Sequence, residues 1–357
     1  MLKDWTENII NENTTVKEAL HRINHISDNF PNRPFTLLVV DNTNKMVGTL
    51  TDGDLRRNLV KNGIIFDKPV SDFMFRDFTF IRHGLNIYFN IRPCIELGID
   101  LLPVLDDQKN IKRIFNLKVI RAILPVHAVV MAGGDGIRLR PLTNDIPKPM
   151  LKVGSKPIIE RNIDRLTNYG IDNITISLRY LGEKISDYFG DGSSRDVKIN
   201  YVKEENPLGT LGAVGLIEKF SHKYILMINS DILTTLDFSL FLEDFINKQA
   251  DMSVVTIPYY VKIPYGIMET DTLSNIKGLK EKPQYTYFSN GGIYLFRREL
   301  LEQIEPGTRI DVTDFMQTAI DTGKKVISYP FRGYWLDIGS HEEFINAQSA
   351  IKILEES

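Results

Sequence analysis

The 357-residue chain is 43% hydrophobic and 25% charged, enough apolar material for two or three domains of ordinary size. Its formal charge of -3 excludes a global attraction to nucleic acid or an anionic membrane, so any polyanion site must be a local concentration of Lys and Arg. Cys94 is the only cysteine, which excludes an intramolecular disulfide and a thiolate-rich metal site; with no apolar run of about 18 residues and no leader-like N-terminus, the expectation is a cytoplasmic protein without a membrane span.

Within residues 1–121 one pattern occurs twice: an apolar-periodic helix, a short apolar strand, a turn, a second strand and a polar helix. The first copy runs TVKEALHRI, FTLLVVD, NTNK, MVGTLT and DGDLRRNLV. The second, more degenerate, runs LNIYFNIRPCIELG, IDLLPVLDD, QKNIKRIF and NLKVIRAIL. Such a repeat buries its sheet against its twin. The stretch IRAILPVHAVVMAGG then passes through a proline into a fresh buried strand, which puts a domain boundary between residues 120 and 127.

From His127 onward apolar strands alternate with helical patterns: HAVVMA, a helix over 158–169, NITISL, a helix over 182–189, VKINYV, a helix over 211–220, KYILMIN and a helix over 238–248. This alternation predicts an α/β fold, a Rossmann-like and mostly parallel sheet with helices on both faces. Ligands of such sheets sit beyond the carboxyl ends of the strands. After residue 251, MSVVTIPYY, YGIMET, GGIYLF and KKVISYPF read as strands that extend the sheet, followed by a closing helix from His341.

The most informative stretch, MAGGDGIRLRPLTNDIPKPM, follows the first of these strands and holds three glycines, two arginines, a lysine and three prolines. Gly133, Gly134 and Gly136 let backbone N–H groups approach a ligand. Arg138, Arg140 and Lys148 add positive charge, and Pro147 and Pro149 fix the backbone on either side of Lys148. Three cations with clustered amides suit a triphosphate. A dinucleotide-binding fingerprint would want a third glycine where Leu139 stands, and there is no GxxxxGK[ST]. Asp231, ending a buried strand in INSDIL, and Asp337 in YWLDIGSHEEF read by themselves as turn or cap residues, the common role of an Asp after a strand.

GGDGIRLRPLTNDIPKPML resembles the signature GGxGTRLRPLTxxxPKPML of the sugar-1-phosphate nucleotidyltransferases, over residues 127 to about 350. Ile137 departs from the usual Thr or Ser. The resemblance implies a GT-A-like domain over 127–357 that binds an NTP through Ala132, Gly133, Gly134 and Gly136, catalyses with Arg138 and Lys148, and holds Mg²⁺ on Asp231 and Asp337. It implies a sugar-phosphate contact at Lys282 in EKP, and a sugar pocket lined by Gly266 and Glu269 in YGIMET and Asn290 in SNGGIYLF, where Glu269 and Asn290 also have plain readings as an exposed strand carboxylate and a turn residue. KEENPLGTLGA resembles the base-reading loop, giving Glu204, Gly209 and Thr210. Where relatives that use pyrimidines tend to carry glutamine, Glu204 only accepts hydrogen bonds and pairs with guanine's N1–H and N2–H, which favours GTP; alternatively Glu204 and Glu205 are solvated and backbone amides read the base.

VGTLTDGDLRRNLV resembles the end of a CBS motif, in which Thr51 and Asp54 would hold the phosphate and ribose of an adenine nucleotide; the second copy lacks that aspartate. A tandem CBS domain over 1–121 serves either ligand sensing or dimerisation and packing, and CBS pairs imply a homo-oligomer. As a whole the arrangement resembles the CBS-fused glucosamine-1-phosphate guanylyltransferases of bacterial legionaminic acid pathways, with mannose and heptose 1-phosphates as the other sugars. A non-catalytic nucleotide-sensing relative is the competing class, and the joint presence of Arg138, Lys148, Asp231, Lys282 and Asp337 argues against it.

Overall fold

A computed structural model describes residues 3–30, 33–63, 66–83, 91–120, 122–195 and 197–351. The chain divides into two units, Met1–Pro125 with Leu166–Asp172 and Gly192–Lys198, and Val126–Arg165 with Asn173–Asp191 and Ile199–Ser357. The first holds β1 (Ile9–Asn11), α1 (Val16–Asn29), β2 (Leu37–Val40), β3 (Met46–Leu50) and α2 (Asp52–Asn62), then β4 (Ile81–Arg82), α3 (Arg92–Glu96), β5 (Leu101–Leu105) and β6 (Ile111–Asn116). Two three-stranded sheets result, β1-β2-β3 and β4-β5-β6, each with its first pair parallel and its second antiparallel.

The repeat read from the sequence is therefore a repeat of topology, and β2 shows how the twins share a core. Alternate residues of a strand face opposite ways. Leu37 and Val39 pack with Val16, Ile23 and Ile26 of α1, whereas Leu38 and Val40 pack with Leu101, Leu105, Ile111 and Ile114 of the other sheet. Two expectations need correction. Residues 85–90 of LNIYFNIRPCIELG lie outside the described residues, and what is described of that helix is the short α3. NLKVIRAIL forms turns and no helix among its described residues. In the first copy Thr51 and Asp54 close a reciprocal capping box that starts α2; Asn116, which accepts from the Lys118 N–H, has Val119 three residues on and no carboxylate to close such a box.

The second unit contains β7 (Val126–Ala132), a small hairpin β8 (Lys152–Val153) and β9 (Lys156–Pro157), α4 (Ile158–Asn168), β10 (Asn173–Leu178), α5 (Glu183–Phe189), β11 (Lys198–Lys203), β12 (Tyr224–Asn229), β13 (Ile232–Thr234) and α6 (Phe238–Asn247). Then come β14 (Met252–Lys262), β15 (Ile267–Thr270), β16 (Ile276–Lys280), β17 (Gln284–Arg297), α7 (Arg298–Leu301), α8 (Val312–Asp321), β18 (Val326–Pro330), β19 (Trp335–Asp337) and α9 (His341–Ser349). Seven strands form one sheet in the order β11-β10-β7-β12-β17-β14-β18. β10, β7 and β12 run parallel, as do β14 and β18, while β17 enters antiparallel to both its neighbours. Val129, Ile225, Met227, Val254, Tyr294 and Phe296 fill the core on one side.

The expected helix over 211–220 is instead a 3₁₀ turn, Gly212–Leu216. The N–H groups of Leu211 and Gly212 both donate to the Ile310 carbonyl, at 3.0 and 3.2 Å, so this segment is anchored to a distant loop. Beyond the sheet β14 and β17 continue as a two-stranded arm, Tyr259 opposite Tyr287, joined through the β15–β16 hairpin.

Candidate active site

The site forms where the carboxyl ends of β7 and β12 lie side by side, Met131 opposite Asn229. Gly133 follows one strand, and Ser230 and Asp231 follow the other. The buried Asn162 amide donates to the Ser230 carbonyl at 3.1 Å and fixes that corner. Asp231 leads into β13, which pairs antiparallel with β19 so that Ile232 stands opposite Asp337, and the Ile338 N–H donates to the Asp231 carbonyl at 3.1 Å. Two aspartates remote in sequence thereby become neighbours.

Lys148, 11% exposed, forms an ion pair with Asp231 Oδ2 and lies 3.9 Å from Asp337 Oδ1. The remaining oxygen of Asp231 and the Oδ1 of Asp337 are buried and accept no hydrogen bond. Burial, then the Asp231 charge, hold the Asp337 carboxyl above the usual carboxylate range, with Lys148 opposing. Two carboxylates beside one ammonium, each with a buried oxygen that accepts no hydrogen bond, fit a hard divalent cation, which takes oxygen ligands. Among the described residues no group of three or more His, Cys, Asp or Glu could hold a metal ion, so the protein side of such a site is this pair.

A cavity of about 300 Å³ opens beside the pair, lined by Gly133, Gly134, Lys148, Arg179, Glu204, Gly209 and Thr210 among others. Ala132 is the buried last residue of β7 behind it. Gly136 has φ of 61°, and a Cβ there would stand 3.0 Å from both the Lys148 Cβ and the Thr143 Cγ2, so only glycine fits the bend that carries the loop past Lys148. Arg138 turns away from the cavity wall: its guanidinium lies against Gly339, next to the Asp337 strand end. Ile137, the departure from the signature, is exposed. Glu204 is buried, and its Oε2 accepts the Leu208 N–H at 3.1 Å. Thr210 serves a neighbouring element as well, its N–H donating to Asp311 Oδ1 at 3.0 Å and its hydroxyl accepting from the Val312 N–H at 2.8 Å.

On the expected sugar side only Asn290 is held near this junction. Its Oδ1 accepts from the Gly292 N–H and from the Tyr294 hydroxyl, both at 2.9 Å, and burial pushes that phenol up to about 12. Gly292 in turn abuts Asn229 and Ile232. Lys282, Gly266 and Glu269 ride on the exposed arm, and none of them lines the cavity. Glu269 is paired with Lys280 across the hairpin, the geometry of an exposed strand carboxylate.

In the first unit, Thr51 and Asp54 are bonded to each other, the Thr51 hydroxyl donating to Asp54 Oδ2 at 2.6 Å, and Asp54 Oδ1 accepts from the exposed Arg57 at 2.5 Å. Sequence reading passed over Arg179 and Asp135, which form an ion pair of 2.7 Å at the cavity. The available signal was position, since Arg179 is the first residue after a parallel strand adjoining β7.

The nucleotidyl transferase family model matches residues 127–353, and the CBS domain model matches residues 7–61. The mannose-1-phosphate guanylyltransferase of Mycobacterium tuberculosis is 31% identical over 229 residues, 63% of this chain and 64% of that protein. The low-salt glycan biosynthesis nucleotidyltransferase Agl11 of Haloferax volcanii is 31% identical over 235 residues, 62% of this chain and 65% of that protein. The chain thus spans just under two thirds of the length of either relative. A crystal structure described as a glucose-1-phosphate thymidylyltransferase of Bacillus anthracis with sucrose superposes with a TM-score of 0.50 at 23% identity, covering 63% of this chain and 94% of that one, which shows a shared fold.

Proposed function

The chain belongs to the nucleotidyl transferase family, and from that premise we propose that its second unit catalyses attack of a sugar-1-phosphate oxygen on the α-phosphorus of an NTP, GTP for preference, with release of pyrophosphate. The convergence of Lys148, Asp231 and Asp337 beside a glycine-lined cavity carries this reading. A sugar phosphate is already ionised, so no general base is needed. Catalysis then consists of holding two mutually repelling anions in line and neutralising charge around phosphorus. The amides around Gly133, Gly134 and Gly136 receive the triphosphate, Lys148 neutralises it, and Arg138 adds a second cation from the Asp337 side. Asp231 and Asp337 would hold Mg²⁺, which supplies Lewis-acid neutralisation of phosphate charge when bound.

Lys282 is the proposed contact to the sugar phosphate, with Gly266, Glu269 and Asn290 around the sugar; this requires the arm to fold toward the cavity. Glucosamine 1-phosphate is the best reading of the sugar, for synthesis of a bacterial surface glycan or legionaminic acid in the cytoplasm. Mannose 1-phosphate is the second reading, favoured by what the mycobacterial relative is named for. Thr51 and Asp54 are proposed to take an adenine nucleotide, and the CBS units to associate copies of the chain. Pyrophosphate release measured over all NTPs and several sugar 1-phosphates, with and without Mg²⁺, tests the reaction: turnover is expected with GTP and Mg²⁺, and silence with every pair sinks it. Asp231→Asn is expected to abolish turnover with the fold intact; surviving activity overturns the metal assignment.

A further inference from the structure

Gly209 and Thr210 line the cavity, and the segment that carries them is held by residues 308–311, just before α8. The Ile310 N–H donates to the Leu208 carbonyl at 2.9 Å, and the Ile310 carbonyl takes the N–H groups of Leu211 and Gly212. The two stretches lie backbone against backbone. A Cβ on Gly209 would stand 2.6 Å from the Ile310 carbonyl oxygen, and one on Gly212 would stand 2.4 Å from that of Thr308. Gly209 also has φ of 80°, so both the close approach and the backbone conformation require glycine there.

Asp311 stands at the N-cap of α8, where a carboxylate ordinarily accepts from the N–H groups of its own helix's first turn. It makes no such bond. Its Oδ1 accepts instead from the Thr210 N–H at 3.0 Å and from the Thr210 hydroxyl at 3.3 Å, and that hydroxyl accepts from the Val312 N–H at 2.8 Å. The cap is thus exchanged, with Thr210 serving the start of α8 and Asp311 serving the loop. The helix gains nothing that its own cap residue would not supply, so what the exchange adds is a fixed position for Thr210. That position bears on the cavity. Of the five N–H groups from Leu208 to Gly212, Leu208 donates to Glu204 Oε2, Thr210 to Asp311, and Leu211 and Gly212 to Ile310. Among the described residues the Gly209 N–H finds no partner, and a backbone donor uncommitted on a cavity wall is a ready contact for a polar ligand.

We propose that Asp311 is a positioning residue for nucleotide recognition: acting through Thr210, its carboxylate holds the Leu208–Thr210 segment on the cavity wall and keeps the Gly209 N–H available to the base. The proposal rests on the nucleotidyl-transfer reading, which puts the base of the NTP against this loop. Asp311 itself does not line the cavity. Its loss is therefore felt in binding of the base and not in the transfer step, whereas a carboxylate that merely started α8 would affect stability alone.

The experiment compares wild type, Asp311→Ala and Asp311→Asn on the full chain. Steady-state kinetics use the NTP that wild type binds best with a sugar 1-phosphate that it accepts. Calorimetry uses the same NTP and inorganic tripolyphosphate, which offers phosphates and no base. Asp311→Ala is expected to raise KM and Kd for the NTP about tenfold, the scale of two lost hydrogen bonds. The kcat at saturation, the KM for the sugar phosphate and the affinity for tripolyphosphate are expected to stay within about twofold of wild type. Asp311→Asn, which keeps an oxygen for the Thr210 N–H, is expected to recover most of the loss, and no recovery overturns the proposal. A lower melting temperature in Asp311→Ala with an unchanged KM for the NTP overturns it in favour of a plain helix start. A loss shared equally by the NTP and tripolyphosphate, or by both substrates, overturns it too. Should Asp311→Ala fail to fold, Thr210→Val removes the hydroxyl and keeps the N–H: a rise in KM for the NTP of about threefold supports the proposal, and an unchanged KM overturns it. Absence of turnover with every NTP and sugar 1-phosphate defeats the transfer reading instead. Calorimetry then still decides on Asp311, because an NTP affinity unchanged in Asp311→Ala, or no NTP binding by wild type, overturns the proposal.

Discussion

Glu204 is a residue whose burial works against the stability of the fold. Its pKa is raised in the folded chain, chiefly by desolvation, so the folded state holds the proton more tightly than the unfolded state does. The contribution of this group to stability therefore falls as pH rises from the ordinary carboxylate range through the raised value, and stays at its lowest above it. Glu204→Gln removes the buried charge while keeping an oxygen for the Leu208 N–H. The variant is expected to melt at a higher temperature than wild type near neutral pH, with the gap closing as the medium is acidified; a gap that widens on acidification contradicts the burial argument. The same substitution is expected to erase the preference for GTP, a trade of stability against function common at binding sites. At this scale Lys148, Asp231 and Asp337 were legible because each sits in a motif whose neighbours define it. Arg179 was not, since a single arginine after a strand has no spacing to recognise and its partner Asp135 comes from another loop.

The elements read well wherever a segment's own periodicity decided its structure, as in α4, α6 and the buried strands β7, β10 and β12. They read badly where a remote partner decided. No local pattern announces that the Leu211 and Gly212 amides are claimed by Ile310, or that β13 and β19 pair and so carry Asp231 to Asp337. The glycine loop lies between these cases. Its signature was plain, and its geometry adds that Gly136 holds a left-handed bend pressed against Lys148. Gly136→Ala places a methyl group against the Lys148 Cβ and forces an L-residue into that bend, a cost of about 1–2 kcal/mol. A lower melting temperature and a severalfold or larger drop in turnover are the expected results, because the backbone that positions Lys148 must shift. Unimpaired turnover in Gly136→Ala would mean that the loop does not set the position of that lysine. The capping box of α2 makes a separate demand: Asp54→Ala is expected to cost about 1 kcal/mol of stability through lost N–H partners alone.

For the molecule as a whole, the presence of a CBS-like unit and a nucleotidyltransferase unit on one chain poses a question of coupling. Both units were legible in the sequence, the first because a repeat shows up as a repeat and the second because its signature is long. Whether the first binds a ligand was not legible, since Thr51 and Asp54 satisfy each other in a helix cap that needs none. A nucleotide at the proposed site need not dismantle that cap. Among the described residues Asp54 Oδ1 is held only by Arg57, whose side chain is 73% exposed, so a ribose hydroxyl there would displace one solvated arginine. Such an ion pair contributes about 0–1 kcal/mol at an exposed site, a small barrier to a nucleotide. Arg57→Ala is therefore expected to leave adenine-nucleotide binding intact or to tighten it, whereas Asp54→Ala abolishes it, as read by calorimetry with AMP and ATP on the full chain. Linkage sets a stricter requirement: if the adenylate alters the affinity for GTP by some factor, GTP must alter the affinity for the adenylate by the same factor. Titrating each ligand in the presence of the other is expected to return equal factors that differ from one. Factors of one, with adenylate bound, would mean that the unit binds a nucleotide and does not regulate; no adenylate binding at all would leave Thr51 and Asp54 with the cap as their whole role.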